Sequence, residues 1–329
     1  MKRQGLLKLA LLNNTPLILL VVLFIATGIL EPKFFSWSNI ENIFLSSSYI
    51  GVLAIGMTFV LLTGGIDLSV GSTMYMTAAL TGLLISSWNT PTWLAVIIML
   101  IVSAIIGLIN GVLIAKLKLL PFLTTMAMMV LLRGIALVFT KSVLVKLPSS
   151  LSSMGSVKLL GLIPVPVVLL IIVIVAASTY LTRTAGGKQI YAVGNNAEGA
   201  RLAGINQDRI TIICYVVCGF LAGVSGLMAV TQYGVVNAGF GEGVEFNAIA
   251  AAVLGGVSLS GGVGRVFPGT LIGTILIQLV QIALVYLKVD LYITPIISAL
   301  VIFFAVLLDS YRISIKAKIE RRNICKIAE

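Results

Sequence analysis

Histidine is absent from this 329-residue chain, which excludes His-based zinc sites, Ser-His triads and imidazole proton relays together. Cysteine is scarce. Cys214, Cys218 and Cys325 cannot build a disulfide framework, and Cys214 and Cys218, four apart in an apolar run, read as packing residues rather than metal ligands. Charge is scarce as well: 10% of the residues are charged, where a soluble domain carries about a quarter. What the chain does have is apolar surface, with 59% hydrophobic residues and a mean hydropathy of +1.13. No soluble fold could bury that much, so lipid must be the solvent for most of it. The apolar runs are continuous rather than alternating, which excludes an outer-membrane barrel. The expected class is an all-α polytopic membrane protein.

A helix crosses a bilayer with about 20 apolar residues, so ten spans would take about 200 residues and leave about 130 for loops and tails. Runs lie at 16–30, 44–63, 70–88, 92–115, 121–140, 164–182, 209–232, 245–258, 268–288 and 291–309. The run at 245–258 is short and bounded by glycine, which makes it the weakest crossing. Lys2, Arg3 and Lys8 ahead of the first run resemble a signal peptide, but no small-residue cleavage site follows, so the run reads as a first span.

The 22 basic residues outnumber the 11 acidic ones, giving +11. In a membrane protein that excess normally marks cytoplasmic loops, and no nucleic-acid partner is expected. With the N-terminus inside, 16 basic residues fall on cytoplasmic segments, five fall outside, and Arg133 stays within a span. About ten spans with both termini cytoplasmic satisfy that split, although hydropathy alone also admits eight or twelve. The chain then forms one transmembrane domain over 1–329, with cytoplasmic tails at 1–14 and 310–329 and one long cytoplasmic segment at 183–208.

Two glycine-rich strings interrupt the apolar runs. Thr63-Gly64-Gly65-Ile66-Asp67-Leu68-Ser69-Val70-Gly71-Ser72 places a carboxylate and hydroxyls between two spans. Asp67 could cap the following helix with Ser69 beside it. The string reads either as a capped turn or as a re-entrant element near a transport path, and the two readings are compatible. Gly255-Gly256-Val257-Ser258-Leu259-Ser260-Gly261-Gly262 matches Gly64–Gly71 at five of eight positions. Internal repetition at broken hydrophobic segments points to a translocation site, which makes Gly64, Gly65, Asp67, Ser69, Gly255, Gly256, Ser258 and Ser260 candidate pathway residues.

In the long inner segment, Asn195 or Asn196 could cap a short helix over Ala197–Ala203 that ends at Gly204. A helix so short is unstable alone. It must dock, either on the protein's own spans or on a cytoplasmic partner. Gly107/Gly111, Gly219/Gly223 and Gly269/Gly273 are G-x-x-x-G pairs suited to helix packing within the subunit or to a dimer seam.

Apparent enzyme motifs fail on chemistry. Gly223-Val224-Ser225-Gly226 resembles an intramembrane serine protease but has no histidine base. Asp67 has no second carboxylate for an aspartyl dyad, Asp309 being the only other acid near a span interior. Gly186-Gly187-Lys188 has Thr182 where a P-loop needs glycine, so ATP hydrolysis by that route is excluded. Carriers driven by ions need buried carboxylates or histidines, and Asp67 alone is thin support. A path lined by Asn110, Thr124, Thr125, Gln232, Gln278 and Gln281 suits a neutral polar solute.

The stretches Ala54–Ser72, Leu132-Arg133-Gly134, Gly194–Asn206 and Ala248–Gly262 resemble the ribose-type permeases of bacterial ATP-binding cassette sugar importers. The likeness runs over nearly the whole chain, and the G-G-I-D-L-S-V-G-S string is highly specific to that family. It implies a ten-span subunit in the cytoplasmic (inner) membrane that pairs into a homo- or heterodimer. It also implies two cytoplasmic ATPases that carry ATP-Mg, with no cofactor on this chain, and an external sugar-binding protein. Under that resemblance Asn195, Asn196, Glu198, Arg201, Leu202 and Gly204 form the ATPase-coupling segment, and Glu242 and Glu245 dock the binding protein. Gly64 stands where ribose permeases often carry Ser, and 141–163 has no counterpart we match, so the particular sugar is left open. A stand-alone carrier or channel for small neutral solutes is the alternative, and a scaffold without transport is a third class.

Overall fold

The computed structural model describes residues 15–290 except Leu160, together with scattered positions between 292 and 307. The tails at 1–14 and 310–329, which include Cys325, and eight of the nineteen positions of the 291–309 run, Asp309 among them, lie outside the described residues. Among the described residues eleven helices of six residues or more carry the architecture: α1 (Thr15–Leu30), α2 (Trp37–Leu62), α3 (Val70–Trp88), α4 (Thr92–Ala115), α5 (Pro121–Thr140), α6 (Val165–Arg183), α7 (Ala185–Asn195), α8 (Ala197–Leu202), α9 (Gln207–Tyr233), α10 (Val244–Leu254) and α11 (Leu271–Tyr286). Among the described residues six helices are long and apolar enough to cross a membrane: α2, α4, α5, α6, α9 and the Val266–Tyr286 segment that contains α11. α1 and α10 are apolar but shorter.

Local signals set the ends. Ser36 caps α2 by accepting the Asn39 N–H, Asn206 caps α9 by accepting from Arg209, and Pro121 opens α5, where a missing N–H costs nothing. Gly234, at φ +70°, ends α9.

Contacts fix which ends share a face of the bundle. At one end Lys116 and Lys118, just past α4, pair with Asp208 at the start of α9, at 3.2 and 2.7 Å; this is the basic end. At the other, Val145–Lys146 pairs antiparallel with Val235–Val236 and Lys158 pairs with Glu41 at 2.6 Å. Trp37, Trp88 and Trp93, at helix termini of this end, are 75, 75 and 65% exposed. Tryptophan so placed marks a membrane–water interface.

The core runs around α2, which is buried continuously from Ile50 to Leu62 and is apolar on all sides there, as a central helix must be. α4 crosses α9 at glycines. A Cβ on Gly111 would lie 2.9 Å from Ile212 Cα, and one on Gly219 would lie 2.8 Å from Gly107 Cα. Gly269 and Gly273 abut Gly255 and Ala251 of α10. All three G-x-x-x-G pairs therefore pack helices within the chain. Cys214 and Cys218 are fully buried in α9, and a Cβ on Gly56 of α2 would lie 3.2 Å from Cys218 Cα.

One crossing is broken. Past Val236 the chain re-enters the helical layer as a non-helical stretch, and Arg133 donates to the carbonyls of Ala238 (2.8 Å) and Phe240 (3.4 Å). Arg133 lies seven residues inside the end of α5, roughly 10 Å along the helix, and its guanidinium stands 5.4 Å over the Tyr75 ring. α10 starts at that depth and runs to the basic end as a helix of 11 residues. The weak 245–258 run is thus a half-helix preceded by a run of turns over 238–243. Non-helical backbone at this depth is tolerated only against protein or a water-filled cavity; Phe240 is buried, whereas Asn237, Ala238, Gly239 and Glu242 are exposed.

Candidate functional site

The two glycine-rich strings form the same pair of turns. α2 ends as Gly64 N–H donates to Leu61 O (2.8 Å) and Gly65 N–H to Val60 O (3.1 Å), with Gly64 at φ +78°. α10 ends as Gly256 N–H donates to Val253 O (2.8 Å) and Val257 N–H to Ala252 O (3.0 Å), with Gly256 at φ +91°. These are Schellman ends with a left-handed glycine. The sequence match sets Gly64 against Gly255, whereas the helix-ending role sets it against Gly256, one residue later. The second turn keeps the sequence register: Asp67 Oδ1 accepts from Ser69 N–H at 2.9 Å, and Ser258 Oγ accepts from Ser260 N–H at 3.2 Å. A short polar side chain that accepts from the backbone two residues on makes an Asx- or ST-turn.

Asp67 does not cap α3 as expected. Ser69 occupies the cap position without a side-chain cap bond, and the Asp67 carboxylate is committed to Ser69, taking its Oγ–H at 2.6 Å as well. Asn110 Nδ2 of α4 donates to Ser69 Oγ at 2.9 Å. The Ile66 carbonyl accepts from Tyr215 of α9 at 3.1 Å and from Thr125 of α5 at 3.3 Å. Asp67, Ser69, Asn110 and Thr125 are at most 1% exposed. Asn110 and Thr125, expected to line a path, instead fasten this turn. Thr124 bonds its own helix at Leu120 O, Gln232 donates to Leu45 O and Ser48 Oγ, both at 3.3 Å, and Gln281 donates to Asn247 Oδ1 at 3.2 Å, with Gln278 beside it.

At the basic end both strings meet the end of α7. Gly262 N–H donates to Leu62 O at 2.9 Å. A Cβ on Gly194 would strike Leu62 O and the Gly262 amide, and one on Gly261 would lie 2.9 Å from Gly64 N and 3.1 Å from Gly194 O. Tyr191 Oη donates to Gly264 O at 2.9 Å. Three backbones thus cross with no side chain between them, and the chain leaving the crossing enters the predicted coupling segment at Asn195. Of the candidate pathway residues, Gly64 and Ser260 are exposed, Ser258, Gly255 and Gly256 are half-buried, and Gly65, Asp67 and Ser69 are buried.

Leu62, Gly194, Tyr191 and Tyr215 join the site although the sequence pattern assigns them no role in it. Gly194 left a signal. A glycine inside a helix costs about 1 kcal/mol against alanine, and close approach of another backbone is the usual compensation.

Of the two cap candidates it is Asn196 that caps α8, its Oδ1 accepting from Gly199 N–H at 2.9 Å; the helix ends at Leu202, with Gly204 at φ +81°. Ala200 is buried, whereas Leu202 is 76% exposed. Glu198 and Arg201 pair at 2.6 Å, and the guanidinium holds the Glu198 carboxyl below its ordinary value; so exposed a pair adds little stability. Asn196→Ala is expected to cost about 1 kcal/mol of helix stability, read as faster hydrogen exchange at the Gly199 amide, with Asn196→Asp restoring protection.

Glu242 is exposed, but Glu245 is only 5% exposed. Its carboxylate lies in the first turn of α10 against Gly71 in the first turn of α3, between two helix N-termini whose dipoles favour negative charge. The expected docking position is thereby corrected for Glu245, since a residue so enclosed presents nothing to a partner.

Residues 39–307 match the family model described as branched-chain amino acid transport system / permease component. The chain is 39% identical over 306 residues to the ribose import permease protein RbsC of Haemophilus influenzae, covering 92% of this chain and 94% of that one. It is 38% identical over 297 residues to RbsC of Bacillus subtilis (89% and 91%). To the autoinducer 2 import system permease protein LsrC of Salmonella paratyphi B it is 32% identical over 315 residues (95% and 90%). No solved structure matches the chain. A match of this extent makes the chain a member of the family of branched-chain amino acid transport system permease components.

Proposed function

We propose that the chain is the translocating subunit of an ATP-binding cassette importer for a monosaccharide, ribose or a related sugar, in a bacterial cytoplasmic membrane. The observation that carries this reading is the likeness over about nine-tenths of the chain to ribose import permeases. Under it the chain has about ten spans with both termini cytoplasmic, and a second permease subunit completes the path. Separate ATPases hold ATP-Mg and grip Asn195–Gly204 at the basic end, and an external binding protein delivers the sugar at the tryptophan end, where Glu242 is exposed. Closure of the ATPases pulls on α8. The Leu62–Gly194–Gly262 crossing passes that pull to α2 and to the turn after α10, and the half-helix rocks with them. Gly64, Gly65, Asp67, Ser69, Gly255, Gly256, Ser258 and Ser260 shape the inner side of the path. The chain itself performs no hydrolysis.

The test is reconstitution. Vesicles holding this chain with its ATPase and binding protein are expected to accumulate labelled ribose only with ATP, and Arg201→Glu combined with Gly204→Pro to abolish accumulation. Sugar flux through this chain alone without ATP would instead establish the stand-alone carrier.

A further inference from the structure

We infer that the chain holds a site for one acyl chain of a bilayer phospholipid at the tryptophan end, between α4, α6 and α9. A cavity of about 720 Å³ lies there, within the range of about 300–1,000 Å³ that discrete ligands fill. Its walls are the first turns of α4 and α6 and the last turns of α9, including Val96, Ile97, Leu169 and Leu227. Leu151 and Met154, from the outer segment that has no counterpart in the resemblance, roof it.

The chemistry of the lining selects the occupant. Of twelve lining residues only Thr92 and Thr231 carry hydroxyls, and the Thr231 hydroxyl is spent on Met228 O at 2.8 Å. A sugar placed here would leave its own hydroxyls without partners, each at a cost comparable to a lost hydrogen bond. An alkyl chain has none to satisfy.

The position says where that chain comes from. Ile97 on the cavity wall continues down one face of α4 into Ile101 and Ile105, which are 45, 54 and 46% exposed. A stripe at i, i+4, i+8 on a helix long and apolar enough to span is a lipid-facing surface, so the cavity opens onto the bilayer as a recess in that surface. Trp93 stands at its mouth, where an indole sits at headgroup level. From Thr92 to Ile97 the wall descends roughly 8 Å of a hydrocarbon layer about 30 Å thick, so the site belongs to one leaflet. A lipid seated there fills the space beneath Leu151 and Met154 and holds the outer segment over the helix ends. The inference needs only that the chain spans a bilayer, and stands apart from the identity of the solute.

Trp37→Phe with Trp88→Phe leaves Trp93 as the single tryptophan reporter. Phosphatidylcholine brominated on its acyl chains, titrated into the intact protein in detergent micelles, is expected to quench Trp93 saturably at one lipid per chain. Val96→Phe with Leu227→Phe, which fills the recess, should remove most of that saturable quenching. Native mass spectrometry of the protein with all three tryptophans should show one phospholipid retained after delipidation. Linear quenching that is equal in the filled variant would mean annular lipid only and overturn the site. So would a native mass spectrum with no retained lipid, or a dimer that filling the recess dissociates, since that would make a second copy the occupant.

Discussion

Gly194→Ala is expected to lower ATP-driven uptake by about ten- to a hundredfold, and Gly194→Val to destabilise the fold as well. The added Cβ has no room to move into, because what it meets is backbone on two sides: the Leu62 carbonyl and the Gly262 amide. Those two groups are bonded to each other at 2.9 Å, so relief requires prising apart the contact that joins α2 to the turn after α10. Forced overpacking of this kind costs about 1–3 kcal/mol, enough to shift a conformational equilibrium by about ten- to a hundredfold. Uptake of labelled ribose should fall by that order while the chain still reaches the membrane. Gly134→Ala is the control, since a Cβ there meets nothing within 4 Å. Equal uptake in Gly194→Ala and Gly134→Ala would mean that the crossing transmits nothing.

The second large effect concerns Asp67, where charge and geometry can be separated. Asp67→Ala removes the acceptor for both the Ser69 amide and its hydroxyl in a site 1% exposed. Each buried donor left without a partner costs about 1–3 kcal/mol, so uptake should drop about tenfold or more, and the melting temperature in detergent should fall. Asp67→Asn keeps a side-chain oxygen at the same place, and Asp67→Ser reproduces the turn that Ser258 makes with Ser260. Both are expected to retain most activity. If Asn and Ser fail as completely as Ala, the carboxylate charge, rather than the turn it closes, is what the protein needs.

Asp67 also marks the limit of what the sequence discloses. Its place beside two glycines between apolar runs identifies a break in the membrane structure, because a carboxylate and flexible backbone are costly in lipid without a purpose. Which groups fasten the turn around it is a tertiary matter. Ser69 lies two residues away, but Asn110, Thr125 and Tyr215 come from three other helices, and no spacing in the chain announces their convergence. The repeat at Gly255–Gly262 is legible as a pattern, yet the one-residue offset in how the two helices end depends on hydrogen bonds that both strings could make in either register. A cap at Asn195 or Asn196 and an end at Gly204 were readable because capping and left-handed termination are local properties, and the structure selects Asn196.

Glu245 shows the opposite case. A glutamate after Gly-Glu-Gly at a span edge looks like surface, and only the inward dip of the 237–243 stretch carries it down to Gly71.

The sequence by itself determined that this protein lives in lipid, that it has neither histidine chemistry nor a P-loop, that its helices break at two related glycine strings, and that a capped stub follows Gly194. Each of these follows from composition or from residues a few positions apart, where solvent preference and backbone geometry act locally. The tertiary structure decided that the two strings touch, that Gly194 is the third member of their crossing, that one span is half helix, and that Glu245 is enclosed. Those outcomes turn on close approach between segments far apart in sequence, and glycine permits such approach without specifying which backbone will come near.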